Sequence, residues 1–175
     1  DISDVSFSLD RAQKGGCLQP KELLAIGNVL RCTRAVKGYI SEDDSASVLH
    51  SYFNILIPNK HLEDRIFGAI ISEDQIADQA SPTLSDIRRH IRLQSGKIKD
   101  SIQKIISSPT YANFLREPII TIRQGRYVVP VKSEHRGEIS GLVHDTSSSG
   151  ATVFVEPTAV VEANNEIKVL QSKER

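Results

Sequence analysis

One short stretch holds the side chains best able to do chemistry. Between Val143 and Pro157 the sequence reads VHDTSSSGATVFVEP, with a histidine, an aspartate, three serines and a glycine close together. A hydroxyl near a histidine and a carboxylate is the composition of a nucleophilic triad. A loop of serine and glycine can also hold a phosphate with its backbone N–H groups. Which chemistry is available depends on the elements that position these residues.

A phosphate loop does not fit the residues that follow the serines. Such a loop leads from a strand into a helix, in the pattern G-x-x-x-x-G-K-[ST]. Here Ser149-Gly150 is followed by ATVFV, which is typical of a strand, and the turn has no lysine. Gly96-Lys97 lies inside a helical pattern and is followed by isoleucine. We therefore predict that the serines lie in an exposed hairpin turn, and that some of the residues Val143, Phe154 and Val155 face a small core.

A triad does not fit either. Adjacent strand residues point to opposite faces, so the side chains of His144 and Asp145 are poorly placed to hydrogen-bond to each other. No metal-ligand spacing with a cysteine or carboxylate is formed by the other histidines, His50, His61, His90 and His135. We predict no catalytic, cofactor-binding or metal-binding residue in the chain. An enzyme with its site at His144 and Asp145 is an alternative that the spacing does not support.

The composition of the chain bears on whether it is a nucleic-acid-binding, disulfide-containing or membrane-spanning protein. The chain has 175 residues and zero net charge, so any nucleic-acid surface must be a local patch. Two cysteines, Cys17 and Cys32, predict free thiols in a reducing compartment, and we expect a cytoplasmic location. There is no apolar run of membrane-spanning length. The absence of methionine suggests a piece of a larger protein.

The first two-thirds of the sequence is predicted to be helical. Gly15-Gly16 closes the first helix, and Pro20 opens the second behind Gln19, a poor N-cap. The polar stretch 72–80 is either an irregular connection or a small hairpin. The predicted helices cover residues 4–14, 20–38, 45–56, 60–71 and 81–107.

The last of these helices is the longest, at about 40 Å. Ser81-Pro82 begins it, and its apolar stripe comprises Leu84, Ile87, Ile91, Ile98, Ile102 and Ile105. It also carries an excess of positive charge, which makes six side chains candidate contacts to a nucleic-acid backbone: Arg88, Arg89, Arg92, Lys97, Lys99 and Lys104. An ordinary solvated helix face is the alternative.

The pattern changes to strands after Pro118. One hairpin is predicted from Ile119–Arg123 and Arg126–Val131 around Gln124-Gly125, and Pro130 indicates an edge or a bulge. A second strand pair comprises residues 142–146 and 151–155, and a final helix follows Pro157. On one face of this helix lie Val160, Ala163 or Asn164, Ile167 and Leu170.

These elements predict an α+β fold that is mainly α-helical. A multi-helix core with a long strut helix is followed by a small antiparallel β-hairpin element and the start of a coiled-coil arm. The predicted divisions are a helical core at 1–117, the β element at 118–157 and the first helix of a lever or clamp arm at 158–175.

From Gly125 onwards the sequence resembles a known family. The segment GRYVVPVKSEHRGEISGLVHDTSSSGATVFVEPTAVVEANNE is similar to the bacterial MutS type-two family, a branch of MutS-like ATPases associated with suppressing homologous recombination. The signatures are RYVVPVK, VHD with the serine turn, VEP and NNE. Upstream, KGGCLQPKELLAIGNVLR and ASPTLSDIRRHIR resemble the same family less tightly.

The resemblance implies the core and lever region of a homodimeric, mismatch-repair-like protein. It also implies an ATPase domain using ATP and magnesium, and an endonuclease domain, both outside these residues. The implied partner is branched or structured DNA, and some family members act on stalled ribosomes.

We therefore expect a non-catalytic core/lever fragment that couples the ATPase domain to a DNA clamp. The alternatives are a direct nucleic-acid-binding module that uses helix 82–107, and part of a ribosome-rescue factor. No membrane partner is expected.

Overall fold

The computed structural model describes residues 2–39 and 50–174. The chain forms two compact units, the first ending at Ser85 and the second beginning at Asp86. Helices dominate, and two small antiparallel sheets accompany them, which confirms the predicted α+β fold class. The functional boundaries at 117 and 157 concern domains of a longer protein and stay a prediction.

The first unit begins with two helices close to those predicted. Helix α1 is Ser6–Gln13, and Gly15 behind it has φ +82°, which glycine adopts without strain. Helix α2 is Pro20–Gly38. Gln19 is a poor N-cap, but its backbone N–H donates to the Glu22 carboxylate at 2.8 Å. A side chain from the first turn of α2 therefore stabilises the start of this helix.

Two further helices follow, α3 at His50–Ile55 and α4 at Lys60–Ala69. The first five residues of the predicted helix 45–56 lie outside the described residues. Helix α4 begins where the Asn59 side chain accepts the Leu62 N–H at 3.0 Å. The isoleucine pair at 70–71, predicted to be helical, instead starts a strand, consistent with the stiffness of β-branched side chains.

That strand forms the small hairpin that was one of two alternatives for 72–80. Strand β1, Ile70–Ser72, pairs with β2, Gln75–Ile76. Helices α2 and α4 pack closely beside it. A Cβ on Gly27 would lie 3.0 Å from the Phe67 ring, so a larger residue there would require the side chains of α4 to shift by a few tenths of an ångström.

Helix α5, Pro82–Ile106, confirms the predicted strut to within one residue. The Ser81 hydroxyl accepts the Leu84 N–H at 3.1 Å, which is the expected N-cap. Its 25 residues give a length of about 37 Å. Ile98 and Ile102 from its apolar stripe are fully buried in the second unit.

The second unit contains a four-stranded antiparallel sheet in the order β3-β4-β6-β5. The strands are β3 Thr121–Arg123, β4 Arg126–Lys132, β5 Gly141–Thr146 and β6 Thr152–Pro157. Both predicted hairpins are present, and pairing of β4 with β6 joins them into one sheet. Between β3 and β4, Gln124 and Gly125 have φ +52° and +71°, the left-handed backbone of a tight two-residue turn.

Pro130 lies in an inner strand rather than in an edge strand. Its carbonyl accepts the Arg116 N–H at 2.9 Å, so this residue's backbone polar groups face away from β6. On that side only an isolated bridge between Leu115 and Val131 forms. The missing N–H of proline therefore removes no hydrogen bond from the β4–β6 ladder.

The serine turn is a hairpin turn, as predicted. The Gly150 N–H donates to the Ser147 carbonyl at 2.8 Å, and the Thr152 N–H donates to the Ser147 hydroxyl at 3.1 Å. Ser148 and Ser149 are exposed. Val155 is buried, whereas Phe154 is half-buried and Val143 is 39% exposed. The prediction that some of these three side chains face a small core is confirmed by Val155.

Helix α6, Val161–Glu174, follows a short 3-10 turn after β6. The core of this unit brings together both central strands, α5 and the first turns of α6. Its buried residues are Ile98, Ile102, Leu115, Val129, Val131, Ile139, Val153, Val155, Val160 and Ile167. Asn164, on the same face of α6 as Val160 and Ile167, is 1% exposed and is a polar residue that needs partners.

Candidate functional site

A buried carboxylate lies where the sheet meets α6. Glu156, near the end of β6, has no solvent exposure. One carboxylate oxygen accepts from the Arg126 guanidinium at 2.6 Å and from the Asn164 amide at 2.7 Å. The other contacts the His144 Nε2. Three strands and one helix therefore meet at a single side chain, and we call these four residues together with Asn165 the Glu156 cluster.

A β-bulge orients the histidine. Val143 pairs with Val155 and Asp145 with Phe154, so His144 is the additional residue on β5. A bulge redirects the side chain that it contains. At this bulge the His144 ring faces the Glu156 carboxylate and is largely shielded from solvent.

Asn164 binds β4 much as a neighbouring strand would. Its side-chain oxygen accepts the Tyr127 N–H at 3.2 Å, and its amide nitrogen donates to the Tyr127 carbonyl at 3.3 Å. Next to it, the Asn165 side chain accepts from the Arg126 guanidinium. Rotation of α6 about its own axis would break all of these contacts, so the cluster fixes both the position and the orientation of the helix.

The electrostatics favour an ionised Glu156. Burial acts to raise the pKa of its carboxyl, because a low-dielectric interior disfavours charge. Hydrogen bonds from His144, Arg126 and Asn164, with the charge of Arg126, outweigh burial and hold the pKa below its ordinary value of 4.5. A buried carboxylate with this many donors is a structural ion, and removal of one partner would leave an uncompensated charge.

His144 and Asp145 do not act together. Asp145 lies 3.3 Å from the Arg123 guanidinium and accepts the Thr146 N–H at 2.8 Å, while His144 contacts Glu156. The Ser147 hydroxyl accepts a backbone N–H. The two side chains therefore have different partners, as expected from strand geometry, and the bulge at His144 was not predicted from the sequence.

The six basic candidates on α5 do not form one face. At 3.6 residues per turn, Arg88, Arg92 and Lys99 lie on one flank, while Lys97 and Lys104 lie on the other. Arg88 contacts Glu174 of α6 at 2.7 Å, and Arg89 contacts Asp86 at 3.1 Å. Their assignment as nucleic-acid contacts stays a prediction.

Two other kinds of feature are absent from the residues that the structure describes. In residues 2–39 and 50–174 there is no group of three or more histidine, cysteine, aspartate or glutamate side chains suited to holding a metal ion. Across the same ranges, no helix has both the length and the apolar character needed to cross a membrane.

Sequence reasoning identified Arg126, Glu156, Asn164 and Asn165 as signatures but not as a cluster. The available signal was a charged residue at the end of the apolar run TVFVEP, where burial would require a partner. The partners could not be identified, because Arg126 is 30 residues from Glu156 and Tyr127 is 37 from Asn164.

Comparison with known proteins addresses the family. No protein-family model matches the chain. Proteins named Endonuclease MutS2 are 51% identical in Ruminiclostridium cellulolyticum, 50% in Acetivibrio thermocellus and 46% in Alkaliphilus oremlandii. Each match covers 99% of this chain and 22% of the relative, so the chain spans about a fifth of the length of these curated relatives. Over that segment the chain is similar to the proteins named Endonuclease MutS2.

Proposed function

We propose that the chain is the core and lever segment of a MutS2-family protein, a non-catalytic connector between the regions that bind nucleotide and DNA. In this proposal ATP, magnesium and the nuclease chemistry belong to the greater part of the relatives' length that this chain does not span. The full protein would act in the cytoplasm as a homodimer on branched or structured DNA and suppress recombination.

The Glu156 cluster is the observation that carries this proposal. A connector must pass a displacement on without absorbing it, and packed elements that move as one body do so. Asn164 fixes the first turn of α6 to the backbone of β4, and Glu156 fixes the same turn to β6. A displacement of the sheet would therefore move α6 with it.

The Glu156 cluster supports a positional rather than a catalytic role for the segment. The Glu156 carboxylate is contacted by the Arg126, His144 and Asn164 side chains of the cluster and has no solvent exposure. A carboxylate surrounded in this way orients helices but has no open position for a substrate. In the full-length protein the Glu156 carboxylate would hold α6 in position against the sheet.

The test is uncoupling in the full-length protein that contains this segment. Asn164→Ala should reduce the response of ATP hydrolysis to DNA, while hydrolysis without DNA and the affinity for DNA are retained. Ser172→Ala, an exposed change on the same helix, is the matched control and should leave the response intact. A normal DNA response in the Asn164→Ala protein would contradict the connector role.

The alternative that the chain is part of a ribosome-rescue factor is tested with stalled ribosomes in place of DNA. A ribosome-rescue factor should co-sediment with stalled ribosomes through this segment, and Asn164→Ala should then alter ribosome-stimulated rather than DNA-stimulated hydrolysis. The DNA-linked proposal expects the opposite pattern.

A further inference from the structure

Besides the apolar core that Ile98 and Ile102 share with Val160 and Ile167, polar side chains join α5 and α6 along an antiparallel seam. The Arg88 Nε donates to the Glu174 carboxylate at 2.7 Å, and the Gln94 amide donates to Glu166 at 2.5 Å. As the residue number rises along α5, its partner's number falls along α6, so the helices run in opposite directions.

At the N-terminal base of α6 the seam has an open and largely polar gap. A cavity of about 370 Å³ lies between the helices, with Gln94, Lys97, Ser101, Glu162 and Glu166 in its wall. Dry, interdigitated helix pairs hold together by close packing, and a wet, charged gap provides less of it. The Gln94–Glu166 contact at the edge of this gap and the Arg88–Glu174 contact beyond it hold the distal part of α6 against α5.

One of these contacts uses a residue from the basic flank of α5. Arg88 and Arg92 lie about 6 Å apart along this flank and Lys99 about 10.5 Å further on, so the three side chains offer a row of positive charge to a phosphate backbone. Glu174 contacts the first of them, and both side chains of that pair are largely covered, at 25% and 29% exposed. The carboxylate occupies the position that a phosphate oxygen would take on the guanidinium.

We propose that Glu174 masks a nucleic-acid backbone site on the Arg88, Arg92 and Lys99 flank of α5, and that displacement of the distal part of α6 exposes it. The inference rests on the proposed nucleic-acid-linked function, and it adds an autoinhibitory contact to it. Ion pairs at partly exposed positions are weak enough to be exchanged for a polyanion. The cluster at Asn164 would keep the base of α6 fixed while its far end moves.

The test measures binding of the 175-residue chain to a fluorescein-labelled DNA duplex of about 30 base pairs by anisotropy, across a salt series. Glu174→Gln should tighten binding by about threefold or more and should steepen the salt dependence by about 0.9 in log–log slope, for one additional phosphate contact. Glu166→Gln should act in the same direction by loosening the seam.

Two controls separate unmasking from a simple change in net charge. Glu117→Gln and Glu138→Gln are exposed changes in the same unit that add the same charge, and they should leave affinity nearly unchanged. Adding Arg88→Ala to Glu174→Gln should abolish the gain. Equal gains in the control variants would overturn the masking contact while leaving DNA binding in place, and absence of binding by every variant would overturn the site itself.

Discussion

Buried carboxylates are rare, and two described glutamates in this chain are almost fully covered. Glu63 of α4 is 3% exposed and is held by Arg34 through two 2.9 Å hydrogen bonds, while Glu156 is held by Arg126, His144 and Asn164. Each of these glutamates joins elements that are far apart in sequence. At the scale of single residues, an ionised side chain inside the protein specifies which elements meet and in what orientation.

The depressed pKa of Glu156 predicts how stability depends on pH. The Glu156 carboxyl binds protons less readily in the folded chain than in the unfolded chain. Its contribution to the free energy of unfolding is therefore fully present above the pKa of the unfolded chain, near 4.5. That contribution is lost as the pH falls through the lower pKa of the folded chain. The free energy of unfolding should therefore fall below about pH 4.5. Urea melts from pH 3 to 7 would measure it.

Glu156→Gln is the matched variant for this prediction. It should be less stable than the natural chain at pH 7, because an amide cannot accept the Arg126 and His144 contacts as an anion does. The difference should shrink as the pH falls below 4.5. A difference that stays constant from pH 7 to 3 would contradict the assignment of an ionised Glu156.

At the scale of elements, the β5–β6 hairpin is built around a close backbone approach. A Cβ on Gly141 would lie 2.1 Å from the Glu156 carbonyl oxygen, which real atoms do not tolerate. The hairpin is therefore specified from both ends, by Gly141 at the open end and by Gly150, with φ +72°, at the turn.

Gly141→Ala should consequently destabilise the second unit by about 2 kcal/mol or more, because the strands would have to separate beside the Glu156 cluster. Gly137→Ala is the control, since a Cβ there meets no atom within 4 Å. Its effect should stay within about 0.5 kcal/mol. Thermal melts followed by circular dichroism would report both, and equal effects would argue against the close approach.

The two strands of this hairpin differ in the burial of their valine side chains, and a second pair of variants tests this difference. Val155→Ala removes a side chain that is 1% exposed and should cost about 2 kcal/mol, whereas Val143→Ala removes one that is 39% exposed and should cost under about 1 kcal/mol. Urea melts of both variants give the comparison. A larger loss for Val143→Ala would mean that the outer edge of β5 is covered.

Local sequence signals were sufficient to predict most helices and strands. The contacts between residues far apart in the sequence could not be predicted in this way. Ser81-Pro82 defined the start of α5 and Gln124-Gly125 the turn of a hairpin, because capping and turn chemistry act over a few residues. The strand at Ile70-Ile71 was missed, since a helical apolar pattern runs straight into it. The pairing of β4 with β6, and with it the Glu156 cluster, depends on residues 30 or more positions apart, which periodicity does not address.

For the whole molecule, zero net charge conceals an asymmetry. The unit ending at Ser85 has twelve acidic and eight basic residues, and the unit beginning at Asp86 has ten acidic and fourteen basic. Net charges of −4 and +4 make the second unit the one that a polyanion would approach. The basic α5 flank belongs to that unit.

The chain as a whole should not bind nucleotide. It has no phosphate-loop sequence, and its serine turn leads into β6 rather than into a helix with free N–H groups. Equilibrium dialysis with labelled ATP and magnesium should show no saturable binding at micromolar nucleotide. Saturable binding that is lost on changing Ser149 or Gly150 would restore the phosphate-loop interpretation.

The attachment of α6 has a consequence for how the helix would respond to force. At its first turn, four hydrogen bonds from Asn164 and Asn165 reach Tyr127, Glu156 and Arg126 within one turn of helix. A pull on the far end of α6 would load these bonds together, so none yields until all of them do. Along the α5 seam the contacts at Glu174 and Glu166 are about 12 Å apart and would yield one after the other. Under load the helix should therefore peel from α5 and stop at the sheet.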